Sequence, residues 1–293
     1  MNEGSSFSFT LTFQKTNELA EFDIKLVEPD TEIKNIKILV VEDIPLNQLL
    51  MKTLLDDFGF ERDIAPNGKI AIEKLQSKSY DIILMDLQMP EMNGFEATEY
   101  IRKTMRSKIP IIALTADVTS VDLEKCKNAG MNDYIAKPVD EKLLYSKIIG
   151  FVKKPALELP QIISTNTSDQ KAMLKCIDLQ YLTHRTKSNP KLMMEMILLY
   201  LEQTPPLVST MKQSLQNKDW DALNAAVHKM IPSFSIMGIH VDFENMAKKV
   251  QEYSSTQQQM HEIDDLVSRL ENICTQACTE LTEELNFIKN SNR

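Results

Sequence analysis

The chain has 293 residues, a length that suits two domains, and 43% of them are hydrophobic, enough for two cores. Its net charge of −9 divides into about −5 over residues 1–154 and −4 over 155–293, so neither half carries the basic footprint of a nucleic-acid binder. No apolar run approaches the length of a membrane span, no secretory pattern opens the sequence, and four cysteines are too few for a disulfide framework, a composition that fits a soluble intracellular protein.

In chain order, Phe7, Phe9, Leu11 and Phe13 alternate with Ser8, Thr10 and Thr12, the period of a half-buried strand. Short apolar runs at 36–41, 81–85, 109–114 and 134–136 read as four further strands, and 62–65 reads as a fifth. Between and after them, 45–58, 67–78, 93–105, 119–129 and 140–151 carry helical patterns. Pro45 suits a first helical turn, and Asp140 is placed to cap the last of these helices. Strands alternating with helices predict a parallel sheet covered on both faces.

The ends of four of these runs carry chemistry. Glu42 and Asp43 follow the first, Asp86 follows 81–85, Thr115 follows 109–114, and Lys137 follows 134–136. Carboxyl ends of parallel strands share one edge, where open α/β sheets bind ligands. Three carboxylates there repel one another unless a cation joins them, and Mg²⁺ suits such oxygen donors. With the metal on Glu42 and Asp43, Asp86 is available as a nucleophile toward a phosphoryl group. Lys137 supplies charge, and Thr115 a donor, for the equatorial oxygens.

These residues give 36–152 a close resemblance to a bacterial response-regulator receiver domain, a five-stranded, doubly wound, flavodoxin-like fold. The resemblance implies that Glu42 and Asp43 are the metal-binding acidic pair and Asp86 the phospho-accepting aspartate, itself a metal ligand. It implies a metal-ligating backbone carbonyl at Gln88, phosphoryl recognition by Thr115 and Lys137, and a switch aromatic at Tyr134. It also implies a cis Lys137–Pro138 bond, an isomer that proline makes accessible.

Residues 153–178 read as a linker, with Pro155 and Pro160 ahead of the polar stretch 164–170. Beyond it the period is helical. Leu192, Met193, Met196, Ile197 and Tyr200 form one stripe, and Pro205–Pro206 is expected to break or kink the chain beyond it, with a further helix over 206–216. Trp220, Leu223, Val227, Met230, Phe234 and Met237 form the next stripe, followed by helices over 242–253 and 258–287. The methionines read as core packing, and an antiparallel helix bundle is the natural architecture. Cys274 and Cys278 share a helix face; with no second ligand pair at metal-site spacing, they read as buried or semi-buried thiols, as do Cys126 and Cys176.

His228 falls one step past Val227, off the apolar seam. A lone helical histidine is ordinarily a surface residue, but the frame 226–238 resembles the signature of histidine phosphotransfer (HPt) domains, four-helix bundles with an exposed phospho-accepting histidine. The resemblance runs over roughly 179–287, giving a domain at 179–290, and includes Asp219–Trp220 and Gly238. Two positions depart from it: Ile231 stands where relatives carry lysine, and Pro232 where they carry glycine. Pro232 has no N–H for the His228 carbonyl, which predicts a bend and a free carbonyl there. His184, His240 and His261 lack such a frame and read as surface residues.

Residues 1–16 resemble the last strand of a histidine-kinase ATP-binding domain, whose catalytic boxes are absent upstream. Together these resemblances imply the C-terminal part of a hybrid sensor histidine kinase, located in the cytoplasm. The expected function is a Mg²⁺-dependent phosphorelay module. Asp86 takes a phosphoryl group from an upstream histidine kinase domain, and His228 passes one to the receiver domain of another response regulator. The alternative is a receiver whose bundle only recruits a partner protein. A Mg²⁺ phosphatase with an aspartyl nucleophile is disfavoured, because such haloacid-dehalogenase-like enzymes carry a second acid where this chain has Gln88.

Overall fold

The computed structural model describes residues 36–115, 120–152 and 176–291, all within one compact unit, Lys34–Arg293. The expected strand over 3–13, and the linker apart from its last residues, lie outside the described residues.

Five strands, β1 (Lys37–Val41), β2 (Glu61–Ala65), β3 (Ile82–Asp86), β4 (Ile111–Thr115) and β5 (Asp133–Ala136), form one parallel sheet in the order β2-β1-β3-β4-β5. β3 and β4 are buried along their whole length, as continuous apolar runs in a two-faced parallel sheet must be. Five helices connect or follow them: α1 (Pro45–Asp57), α2 (Gly68–Ser77), α3 (Gly94–Lys103), α4 (Ser120–Ala129) and α5 (Glu141–Val152). Leu39, Val41, Ile83, Met85, Ile111 and Ala113 share one sheet face with Ala71 of α2, Ala97 and Ile101 of α3 and Cys126 of α4. The intervening strand residues point to the other face by the two-residue period. There, buried leucines of α1 and Leu144 and Ile148 of α5 supply the cover, and Phe58 meets Tyr145 edge-on at 5.1 Å between ring centroids.

Local signals set the helix starts. Pro45 opens α1. Asn67 caps α2 by accepting from the Ile70 N–H at 2.9 Å, and Asp140 caps α5 by accepting from the Leu143 N–H at 2.8 Å. Asn93 and Glu96 form a reciprocal capping box at α3, at 3.0 and 2.9 Å. Each such cap contributes about 1 kcal/mol.

The C-terminal region is helical: α6 (Gln180–Arg185), α7 (Pro190–Asn217), α8 (Trp220–Ile236), α9 (Val241–Thr256) and α10 (Met260–Ser291). α7 packs on α8 and α10, and α9 packs on the same two. The short connections between successive packed helices make the neighbours antiparallel. Tyr200, Phe234, Val227, Leu270 and Leu281 fill the centre. Gly238 turns the chain after α8 with φ +66°, and a Cβ there would collide with the Asp178 backbone.

One expectation is overturned. Pro205–Pro206 does not break the region into two helices; α7 continues for 28 residues through both. An internal proline costs about 3 kcal/mol, but α7 is anchored on both sides of the pair, by Met196, Ile197 and Tyr200 before it and Met211 and Ser214 after it. Tertiary burial outweighs the local preference. α8 likewise continues through Pro232 to Ile236. The short α6 had no distinct signal in the sequence.

Candidate functional site

The parallel register brings the strand ends together. Val41 pairs with Met85, Asp86 with Leu114, and Thr115 with Ala136, so the ends of β1 and β4 flank Asp86 at the end of β3, and Lys137 follows β5 one strand further out. One oxygen from each of Glu42, Asp43 and Asp86 lies within 4.8 Å of the others. Lys137 reaches into this group, with Nζ 2.7 Å from Glu42 Oε2 and 2.8 Å from Asp86 Oδ2, and its side chain is only 8% exposed. The Lys137–Pro138 peptide is cis. Thr115 is buried at the end of β4.

Electrostatics follow from burial. Glu42 is fully enclosed, and desolvation pushes its carboxyl above the usual range, although Lys137 opposes that shift and Asp86 adds to it. Burial alone would lower the Lys137 ammonium, but Asp86 and Glu42 outweigh it and hold Lys137 charged. Three acidic groups thus face one internal cation. Asp43 Oδ2 is buried without an aligned hydrogen bond. An all-oxygen group with a surplus of negative charge fits a hard divalent cation such as Mg²⁺.

Several supporting residues were not singled out in the sequence. Asn47, buried in the first turn of α1, donates from Nδ2 to Glu42 Oε1 at 3.0 Å, and the Ile44 N–H donates to the same oxygen at 3.2 Å. Gln48 Nε2 donates to the Glu42 carbonyl at 2.6 Å. Asn47 is polar on an otherwise apolar helix face, and that was the available signal. Gly94 lies so close to the Asp86 carbonyl oxygen that a Cβ would overlap it. Gln88 is exposed and its N–H donates, at 3.4 Å, to Asp86 Oδ1. Tyr134 is half-buried against the sheet core, with Lys147 Nζ 5.2 Å from its ring centroid.

His228 lies on α8, half-buried rather than fully exposed. Its neighbour Lys229 reaches the strand-end site, with Nζ 2.7 Å from Asp43 Oδ2. Asp43 Oδ2 lacks an aligned hydrogen bond, so this contact is a close charge pair. Pro232 and Ile236 line a small crevice together with Glu42, Leu50, Lys137 and Val139. His184, His240 and His261 are exposed; His240 also caps α9 through Nδ1, which accepts from the Asp242 N–H at 3.3 Å. Cys126 and Cys274 are buried and Cys176 and Cys278 half-buried, all as free thiols.

The family model of the response regulator receiver domain matches residues 38–149. That segment is a receiver domain. The chain is 29% identical over 240 residues to the aerobic respiration control sensor protein ArcB of Escherichia coli (strain K12), covering 81% of this chain and 30% of that protein. It is 47% identical over 120 residues to hybrid signal transduction histidine kinase I of Dictyostelium discoideum, covering 38% of this chain and 7% of that one. The chain therefore spans only about a third of ArcB's length and far less of the Dictyostelium kinase. Among solved structures, the receiver domain of sensor histidine kinase PA1611 from Pseudomonas aeruginosa PAO1, with a magnesium ion in its active-site cleft, is 38% identical. It covers 40% of this chain and 98% of that one, at a TM-score of 0.38. The ArcB alignment is longer than the receiver itself, so that similarity continues beyond the receiver into other parts of the chain. Among the described residues no helix is long and apolar enough to cross a membrane.

Proposed function

We propose that the chain is a two-component phosphorelay module in which Asp86 accepts a phosphoryl group and His228 carries one onward. The observation that carries this reading is the buried Lys137 bridge between Glu42 and Asp86, inside a group of three carboxylates. An Asp86 oxygen attacks the phosphorus of a donor phosphohistidine. The new O–P bond forms as the P–N bond breaks, and the imidazole leaves with the electron pair and then takes up a proton. Lys137 offsets the charge that accumulates on Asp86 and the transferred group, and the Thr115 hydroxyl donates to a phosphoryl oxygen. Glu42, Asp43, Asp86 and the Gln88 carbonyl would hold Mg²⁺, which supplies further charge neutralisation when bound. Tyr134 responds to the altered Thr115 surface.

The reverse chemistry serves His228. Acyl phosphate and phosphohistidine are both high-energy species, so exchange between them needs alignment more than driving force. The antiparallel four-helix packing and the 226–238 frame support an HPt domain over 179–290, with an upstream kinase domain and a downstream receiver as partners. Incubating the full chain with Mg²⁺ and a phosphohistidine donor tests the acceptor. Label should appear as a base-labile acyl phosphate, absent in Asp86→Asn; normal labelling of that variant would refute the assignment.

A further inference from the structure

The contact between Lys229 and Asp43 joins two parts of the chain that the relay reading gives separate tasks. Lys229 is on α8, one residue from His228; Asp43 lies two residues past the end of β1, among the candidate metal ligands. Their charged groups meet at 2.7 Å, and the Asp43 side chain is only 5% exposed. Three carboxylates with Lys137 alone carry a formal charge of −2, and Lys229 reduces it to −1. A divalent cation without Lys229 would bring it to zero, whereas both together leave +1, with an ammonium and a metal ion crowded on one carboxylate.

The rest of the interface holds α8 at this position. α1 packs against α7 and α8. Lys187 Nζ pairs with Asp57 Oδ1 at 2.7 Å, and the nearly buried Arg185 pairs with Glu141 at 2.7 Å. Pro232, which replaces the glycine of relatives, lies on the face turned to the receiver, near Lys137 and Val139.

We propose that the Lys229 ammonium takes the cation position beside Asp43, so that divalent-metal loading of the receiver and docking of its own bundle oppose each other. The inference rests on the reading of Glu42, Asp43 and Asp86 as a cation site. By reciprocity, a metal that displaces Lys229 loosens the bundle by the same factor by which docking weakens the metal. A receiver loaded for phosphorylation thereby uncovers the α8 face for a second receiver.

The test uses the full chain. Mg²⁺ affinity is measured by calorimetry, and hydrogen exchange is followed over 46–55 and 229–236 with and without Mg²⁺, with ionic strength matched by NaCl. Mg²⁺ should speed exchange in both segments. Lys229→Met should bind Mg²⁺ about fivefold or more tightly and exchange fast in both segments whether or not Mg²⁺ is present, and Lys229→Arg should keep the coupling. If Mg²⁺ binds but leaves exchange unchanged, or slows it, the opposition is refuted while the cation site stands. If neither the parent chain nor Lys229→Met binds Mg²⁺, the cation site itself is refuted and the inference falls with it.

Discussion

Lys137 Nζ lies 2.8 Å from Asp86 Oδ2, a contact between two nearly buried side chains 51 residues apart in sequence. The same ammonium holds Glu42. Removing one partner of a buried ion pair typically costs about 3–5 kcal/mol, because the remaining charge is left uncompensated. Lys137→Met should therefore lower receiver stability by about that amount in metal-free buffer at pH 7, measured by urea unfolding. Added Mg²⁺ should recover more stability in the variant than in the parent chain. Equal Mg²⁺ effects in both would contradict the assigned charge balance.

Gly94 permits α3 to start directly against the Asp86 carbonyl. A methyl group there forces backbone movement, and overpacking of this kind costs about 1–3 kcal/mol. Gly94→Ala should lower the urea midpoint accordingly and slow phosphoryl acceptance, whereas Gly150→Ala, at a position with open space around it, should do neither.

The stability of β2 carries a pH signature. Asp63 accepts from Lys78 Nζ at 2.8 Å and Tyr80 Oη at 2.6 Å, and these bonds, Lys78 foremost, hold its carboxyl below its ordinary value of 3.8. A depressed carboxylate stabilises the fold above its unfolded value and loses that contribution as pH falls through the folded one. Asp63→Asn should cost about 1 kcal/mol near neutral pH, and the difference should shrink below about pH 4. A difference that persists undiminished to pH 2 would contradict this account.

Burial, with smaller contributions from neighbouring groups, pushes the thiols of Cys274 and Cys176 up to about 12. At pH 8 only about one in 10⁴ of each is thiolate, against roughly a quarter for an ordinary cysteine. Alkylation of the folded chain, followed by mass spectrometry, should label both about a thousandfold more slowly than a model thiol and rapidly in denaturant. Fast labelling of Cys274 in the native chain would contradict its burial.

Much of the receiver was legible because its signals are local. Apolar runs of strand length alternate with capped helices, and parallel pairing then brings Glu42, Asp43, Asp86, Thr115 and Lys137 to one edge. Boundaries moved by a residue or two, as where 109–114 became Ile111–Thr115. The features that stayed hidden depend on distant partners. Nothing near Lys229 in sequence points to Asp43, 186 positions away. The continuity of α7 through Pro205 and Pro206 arises from helices that pack on both sides of the pair, whereas local propensity alone predicts a break. Gly94 fell within the helical pattern 93–105, and its closeness to Asp86 was not visible in the sequence.

Transfer through His228 tests the central claim most directly. The full chain is labelled from a phosphohistidine donor with Mg²⁺, and the bound phosphoryl group is sorted by its lability. The account predicts an acid-labile, base-stable fraction that is lost in His228→Gln with helical content unchanged, and lost with all other label in Asp86→Asn. If all label in the parent chain is base-labile, and the 179–293 region takes none from any receiver of the same organism, the bundle is a recruiting element and the relay is refuted.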